Sequence, residues 1–291
     1  MTNKKERLMR ILVLGASGLL GGAVHRATAP GVQVVGLTRA GCDVTSAHQV
    51  ARAIERHGAD VVVNAAALAD NATCNADPAR AMAVNVGAAR TVARAAQRQG
   101  TTLVHVSGNI VFTATEAPVG RREFEPADNH HGGILAQAKA EAEQAVLDDC
   151  TRVLLIRTAC LFGTRPGGAW GGLPGRVRRA VTAGETLRMV NNSFTSAAYA
   201  PDVADALLTL LRHGQRGIFH LVNEGSTTPY TLTHRLRELT GAHPAQIEET
   251  FAEHTEYRLL ADDKTTAAGA PMRGLEDALR AWLREDQHAR P

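Results

Sequence analysis

Three glycines in "GASGLLG", Gly15, Gly18 and Gly21, recur at every third position directly after an aliphatic run. In a strand–turn–helix setting the first permits a tight turn, the second lets backbone approach a pyrophosphate, and the third lets helix pack on sheet. The phosphates then meet the positive helix N-terminus, where Ser17, Leu19 and Leu20 complete the turn. A glycine-rich packing turn is the plainer reading of the same spacing. A second chemical candidate is Lys139, set among alanines and glutamates in "GGILAQAKAEAEQAV". His130 and His131 precede that stretch in "DNHHGG", and imidazoles titrate near neutrality. Asp70 and Asn71 follow the third aliphatic run, at the end where open α/β sheets bind ligands, and are candidate substrate contacts. No Ser-His-Asp order, metal-ligand spacing or P-loop is present, so no metal is expected.

These residues need a scaffold, and the aliphatic runs supply one. "RILVLGA", "VQVVGLTR", "DVVVNAAA", "TLVHVSG" and "RVLLIRTA" alternate with helical patterns over the first 160 or so residues. The helical stretches run from Gly18 to Ala29, over 47–58, and from Pro78 to Gly100, with the Lys139 helix before the fifth run. Continuous apolar strands separated by helices imply a parallel sheet covered on both faces, an α/β, doubly wound fold. Residues 1–164 form the expected dinucleotide-binding domain, and 165–291 a smaller lobe partly interleaved with the main sheet. "GTRPGGAWGGLPG" reads equally as a mobile loop beside the site or a plain surface connection. "GIFHLVNEG" is expected as one further strand, and "GLEDALRAWLRE" as a closing amphipathic helix.

The tip of the second strand separates NAD from NADP, because an acid there binds the ribose 2′-hydroxyl and an arginine accommodates a 2′-phosphate. Here the tip offers Thr38 and Arg39; Asp43, also a candidate contact, comes late for the ribose. NADP(H) is therefore favoured over NAD(H), unless Arg39 is an ordinary surface residue. Ala65, Ala66 and Ala67 at the third strand's exit and Ser107 at the fourth's complete the expected cofactor wall.

Composition sets the class. The 291 residues are 44% hydrophobic and 21% charged, with a formal charge of +3. The basic run "NKKERLMR" reads as a solvated tail, so nucleic acid is not expected as a partner. Cys42, Cys74, Cys150 and Cys160 have no CxxC spacing and read as reduced thiols, and no apolar run is long enough for a bilayer. The expected protein is cytoplasmic, with a small-molecule substrate and room for a homodimer or a regulatory partner.

With these segments assembled, the chain resembles the dTDP-4-dehydrorhamnose reductase family of extended short-chain dehydrogenases/reductases. "GASGLLGGAV", "DVVVNAAA", "AMAVNVGAARTVARAA", "LVHVSGNIVF", "RTACLFG" and "YAPDVADALLTLL" fall in the family's order nearly end to end. The resemblance implies an NAD(P)-binding Rossmann domain with a sugar-nucleotide-sized cleft against the C-terminal lobe. In that family a tyrosine donates the proton, a lysine lowers its pKa and binds the nicotinamide ribose, and a serine or threonine polarises the carbonyl. Lys139 matches the lysine, but Leu135 stands at the tyrosine position. The family's "STDYVF" is here "SGNIVF", so Gly108 replaces the catalytic threonine, and Ser107 matches only the preceding serine. Asn109 replaces an acid and serves either a substrate or its own turn. "RTAC" for "RTSW" removes an aromatic ring from the cleft.

Three readings follow. One is an atypical NAD(P)H-dependent reductase of a sugar or other specialised metabolite, with Lys139, His131, His130 and Asn109 as candidate catalytic groups. Leu135 would then be an apolar wall facing the substrate. Another is a non-redox enzyme using the same cleft for elimination, cyclisation or isomerisation. The third is a regulatory subunit, since "GASGLLGGAVH" also resembles the regulatory β subunit of methionine adenosyltransferase.

Overall fold

The computed structural model describes residues 8–241 and 246–288, and most of the basic run "NKKERLMR" lies outside them. The chain first alternates strand and helix. β1 (Met9–Leu14) leads to α1 (Leu19–Arg26), β2 (Val32–Leu37) to α2 (Ala47–His57), and β3 (Val61–Asn64) to α3 (Asn71–Ala76), α4 (Pro78–Met82) and α5 (Ala88–Gln99). β4 (Thr102–Gly108), α6 (Ile134–Asp149) and β5 (Val153–Thr158) follow. Next come β6 (Leu161–Thr164), β7 (Trp170–Gly171), α7 (Gly172–Ala183), β8 (Leu187–Val190), β9 (Ser193–Tyr199) and α8 (Ala200–Arg212). β10 (Gly217–His220), β11 (Asn223–Thr227), α9 (Pro229–Thr240), β12 (Ile247–Thr250), β13 (Glu256–Arg258), α10 (Asp263–Ala267) and α11 (Leu275–His288) complete the order.

Six strands form a wholly parallel sheet in the order β10-β5-β4-β3-β1-β2. Ile11, Leu12, Val13 and Leu14 are all at most 1% exposed, so side chains on both faces of β1 are covered. One face packs with α1 and α8 through Val13, Val63, Leu20 and Leu207. The other packs with α2, α5 and α6 through Leu12, Val62, Ile54, Val92 and Val146. This is the doubly wound α/β fold. Strand order reverses between β1 and β3, and a crevice opens there beyond the strands' carboxyl ends. A second sheet, β11-β9-β6-β7 with β13 on β9, carries a separate core of Phe162, Tyr199 and Trp282 under α7, α9 and α11.

Four elements depart from the sequence reading. Helix α1 ends at Arg26 instead of Ala29, because the residue before Pro30 is disfavoured in helical backbone. The expected helix over 78–100 is interrupted by a π turn at Ala83–Gly87. That turn aims Asn85 at Leu68, whose N–H and C=O each bond its amide at 2.9 Å. "GIFHLVNEG" is two strands in two sheets, β10 parallel to β5 and β11 antiparallel to β9. The glycine-rich stretch after Gly163 is in part a β6–β7 hairpin, pairing Gly163 with Gly171 and Thr164 with Trp170.

Candidate functional site

The glycine turn is built as its spacing implies. Gly15 has φ +87°, and a Cβ there would lie 2.7 Å from the Ala66 nitrogen. A Cβ on Gly21 would lie 2.3 Å from the Gly15 carbonyl oxygen, so β1, the turn and α1 meet with no room for side chains. Gly18 precedes α1 without a side-chain cap, and the first intrahelical bond runs from Gly22 N–H to Gly18 O. The N–H groups of Leu19, Leu20 and Gly21 thus have no helical acceptor and form a ready anion site.

A cavity of about 290 Å³ opens at this turn. Gly15, Ser17, Gly18, Arg39, Asp43, Ala65, Ala66 and Ala67 line it, which brings together most of the expected cofactor wall. Asp43 is not too distant: the chain turns back after Thr38, whose carbonyl accepts from Gly41 and Cys42 N–H. Bonds from the Thr45 hydroxyl and N–H, and the charge of Arg39 at 4.0 Å, hold the Asp43 carboxyl below the usual range. The sequence reading missed Arg80 from α4 and Arg165 from the hairpin, which also line the cavity and have no acidic partner among the described residues. These residues fit a dinucleotide phosphate chain, with a cradle any Cβ would fill and cations around it. Leu19 and Leu20 do not line the cavity; both side chains are buried in the core, and only their backbone can serve. Thr38 is exposed and outside the lining as well.

Lys139 stands apart, at the carboxyl end of β4. Its amine donates to the Val106 carbonyl at 2.9 Å, and burial holds its pKa down to about 8. Glu143, one turn further along α6, is bound to Arg157 and does not neutralise Lys139 directly. Ser107 is 3% exposed with an unpartnered hydroxyl, as is Thr158 at 4% on the neighbouring strand. His105, buried on the same strand, faces Asn64 at 3.4 Å.

Several candidate catalytic and substrate residues are corrected here. Leu135 is 6% exposed and packs against Cys74 and Ala81, so it fills a small apolar cluster and is no wall of an open cleft. The Asn109 amide is committed to Thr195 Oγ1 at 3.0 Å and Arg258 O at 2.8 Å, tying its turn to the second sheet. His130 and His131 lie exposed ahead of α6, with no hydrogen bond among the described residues to orient either ring. Asp70 caps α3 by accepting from Thr73 N–H at 2.8 Å, and the bonds from the Thr73 N–H and hydroxyl, with Arg176 nearby, hold its carboxyl below the usual range. Asn71 is exposed as the first residue of that helix. Cys160, packed against the core of the second sheet, takes φ +23°, the only positive φ of a non-glycine residue among those described.

The buried histidines make acid stability a test of this packing. Burial, then the nearby Lys139 charge, pushes His105 down to about 3, and burial and Arg157 push His220 to about 4. The unfolded chain takes up these protons below about pH 6.5, whereas the native state refuses them until far lower. Native stability therefore falls as pH drops through that window. A His105→Gln protein should lose less stability between pH 7 and about pH 4 than wild type does, as measured by urea titration. Equal losses would show that His105 titrates normally in the folded chain.

Comparison with known proteins gives one consistent match. Residues 9–267 match the family model described as the RmlD substrate binding domain. A dTDP-4-dehydrorhamnose reductase of Mycobacterium tuberculosis is 31% identical over 294 residues, covering 97% of this chain and 94% of that one. A dTDP-4-keto-6-deoxy-D-glucose reductase of Streptomyces niveus is also 31% identical, covering 93% and 95%. Among solved structures, the dTDP-4-dehydrorhamnose reductase of Bacillus anthracis in complex with NADP superposes with a TM-score of 0.87. At 21% identity, over 96% of this chain and 99% of that one, this last likeness speaks for the fold alone.

Proposed function

Because the chain belongs to the RmlD substrate binding domain family, we propose that it is an NADP(H)-dependent oxidoreductase of the short-chain dehydrogenase/reductase type. Its substrate is a sugar nucleotide or a metabolite of similar size, and it works without the family's tyrosine acid. The cavity at the glycine turn carries this reading, because it joins an uncapped helix N-terminus to Arg39, Arg80 and Arg165. The names of the relatives support the substrate class.

When bound, the nicotinamide cofactor supplies the hydride. The chain's own part is binding, orientation and charge. The Gly15–Gly18 turn receives the bridging phosphates, and Arg39 the 2′-phosphate. Asp43 is the one acid of the lining, and Arg39 offsets its repulsion. Lys139 keeps a cationic amine at the end of β4, the position from which the family's lysine holds the nicotinamide ribose. With Leu135 packed away and Gly108 lacking a side chain, no group at those positions donates a proton. The substrate must therefore carry its own proton or charge, or draw one from Lys139 or solvent. The same absence favours, as a second reading, a non-redox or purely binding role at an intact cofactor site.

Calorimetric titration separates the cofactors. NADPH should bind more tightly than NADH, and Arg39→Gln should remove roughly tenfold of NADPH affinity while leaving NADH unchanged, the loss of one charge-assisted contact. Equal affinities in the wild-type protein would end the 2′-phosphate role of Arg39.

A further inference from the structure

We infer that the β6–β7 hairpin is a fixed strap across the start of α1, and that its Arg165 clamps the bridging phosphates of the dinucleotide. This rests on the nucleotide reading above and goes beyond it, because nothing in the glycine motif calls for a residue 150 positions downstream of Gly15.

Three observations converge. The Pro166 ring sits on Gly22, where a Cβ would lie 2.6 Å from its Cγ and Cδ atoms. Gly22 is one turn into α1, so the strap arrives at the helix end that carries the uncapped N–H groups. The strap is also tied at both ends. Arg26 donates to Thr164 O at 3.0 Å, Trp282 Nε1 to Thr164 Oγ1 at 3.2 Å, and Arg179 to Trp170 O at 2.7 Å. Within it, Arg165 N–H donates to Ala169 O at 2.8 Å and Gly168 N–H to Arg165 O at 3.0 Å, closing a tight turn through Gly167 and Gly168 at positive φ. Finally, Arg165 shares the cavity lining with Gly15, Ser17 and Gly18, and its guanidinium has no acidic partner among the described residues.

A cation held on a braced turn forfeits little backbone freedom when it meets an anion, so its charge is turned into affinity efficiently. Bridging phosphates are common to NADH and NADPH, whereas the 2′-phosphate is not. Arg165 should thus act on both nucleotides alike, unlike Arg39.

The test is calorimetric titration of NADPH and NADH against wild type, Arg165→Gln and Gly22→Ala at low and moderate salt. Arg165→Gln should weaken both nucleotides by the same factor, roughly tenfold, and flatten the salt dependence of binding. Gly22→Ala keeps every charge but displaces Pro166, and should also weaken both nucleotides. Wild-type binding with Arg165→Gln unchanged overturns the clamp and leaves the nucleotide reading standing. A loss confined to NADPH overturns it too, by moving Arg165 to the 2′-phosphate. Unchanged affinity in Gly22→Ala overturns the strap. A wild-type protein that binds neither nucleotide removes both readings together.

Discussion

An Arg157→Leu protein is expected to lose roughly 3–5 kcal/mol of stability, the cost of stranding a buried charge. Arg157 on β5 is 1% exposed and Glu143 on α6 is 3% exposed. The guanidinium meets the carboxylate through Nε at 3.1 Å and Nη2 at 2.8 Å, donates through Nη1 to Glu125 O at 3.1 Å, and lies 4.7 Å from the centre of the Phe112 ring. Removing it strands the carboxylate of Glu143 between helix and sheet, without its direct partner and with only the Lys139 amine, which is bonded to Val106 O, as a nearby positive charge. A double Arg157→Leu, Glu143→Leu protein should recover much of that loss, since apolar side chains can replace a buried pair at little net cost. Chemical denaturation of the two variants decides the point. A single variant within about 1 kcal/mol of wild type would mean that water or a rearrangement relieves the carboxylate. Because Glu143 lies one turn from Lys139, the pair also fixes the rotation of α6 that delivers the Lys139 amine to Val106.

With dTDP-4-dehydrorhamnose as substrate, NADPH turnover should fall about 10²–10⁴-fold below that of a relative with a positioned acid, the usual contribution of general acid catalysis. The structure narrows what could replace that acid. Leu135 is packed against Cys74, Gly108 has no side chain, the amide of Asn109 is occupied, and His130 and His131 are exposed with no hydrogen bond among the described residues. Lys139 remains, with a pKa near 8. Spectrophotometric assay beside the Mycobacterium tuberculosis relative measures the difference. Comparable rates would show that another group donates the proton at full efficiency, with Lys139 and solvent as its candidate sources.

The parts legible in the sequence are those written in local pattern. Aliphatic runs of strand length between helical stretches give the parallel sheet, and the glycine spacing gives the turn, because both are dictated by neighbours along the chain. Leu19 and Leu20 show where that legibility stops, for a motif position specifies backbone while the side chain answers to the core. The π turn at Ala83–Gly87 is invisible because one extra residue barely disturbs a helical period. Arg80 and Arg165 escape notice because they reach the cavity from α4 and the hairpin, through tertiary packing alone. Asn109 is visible as a polar candidate, but its commitment is not, because its partners Thr195 and Arg258 lie far along the chain. Nor does "GIFHLVNEG" reveal a change of sheet at Leu221 and Val222, since the chain stays buried from Phe219 through Asn223 as it crosses from one sheet to the other.

That late return of β10 to the main sheet bears on how the protein is made. β5 ends at Thr158 and its outer neighbour begins only at Gly217. At about 5–20 residues per second, a ribosome takes roughly 3–12 s to cover that interval. Over that time the nascent sheet holds a bare edge of the kind other strands can join. The helix that covers one face of the sheet, with Val203, Leu207 and Leu211, emerges in the same interval. A fragment cut after residue 164 would carry the whole glycine turn yet lack both the closing strand and much of one helical layer. Isolating the half of this chain that carries the glycine turn therefore means keeping everything through His220.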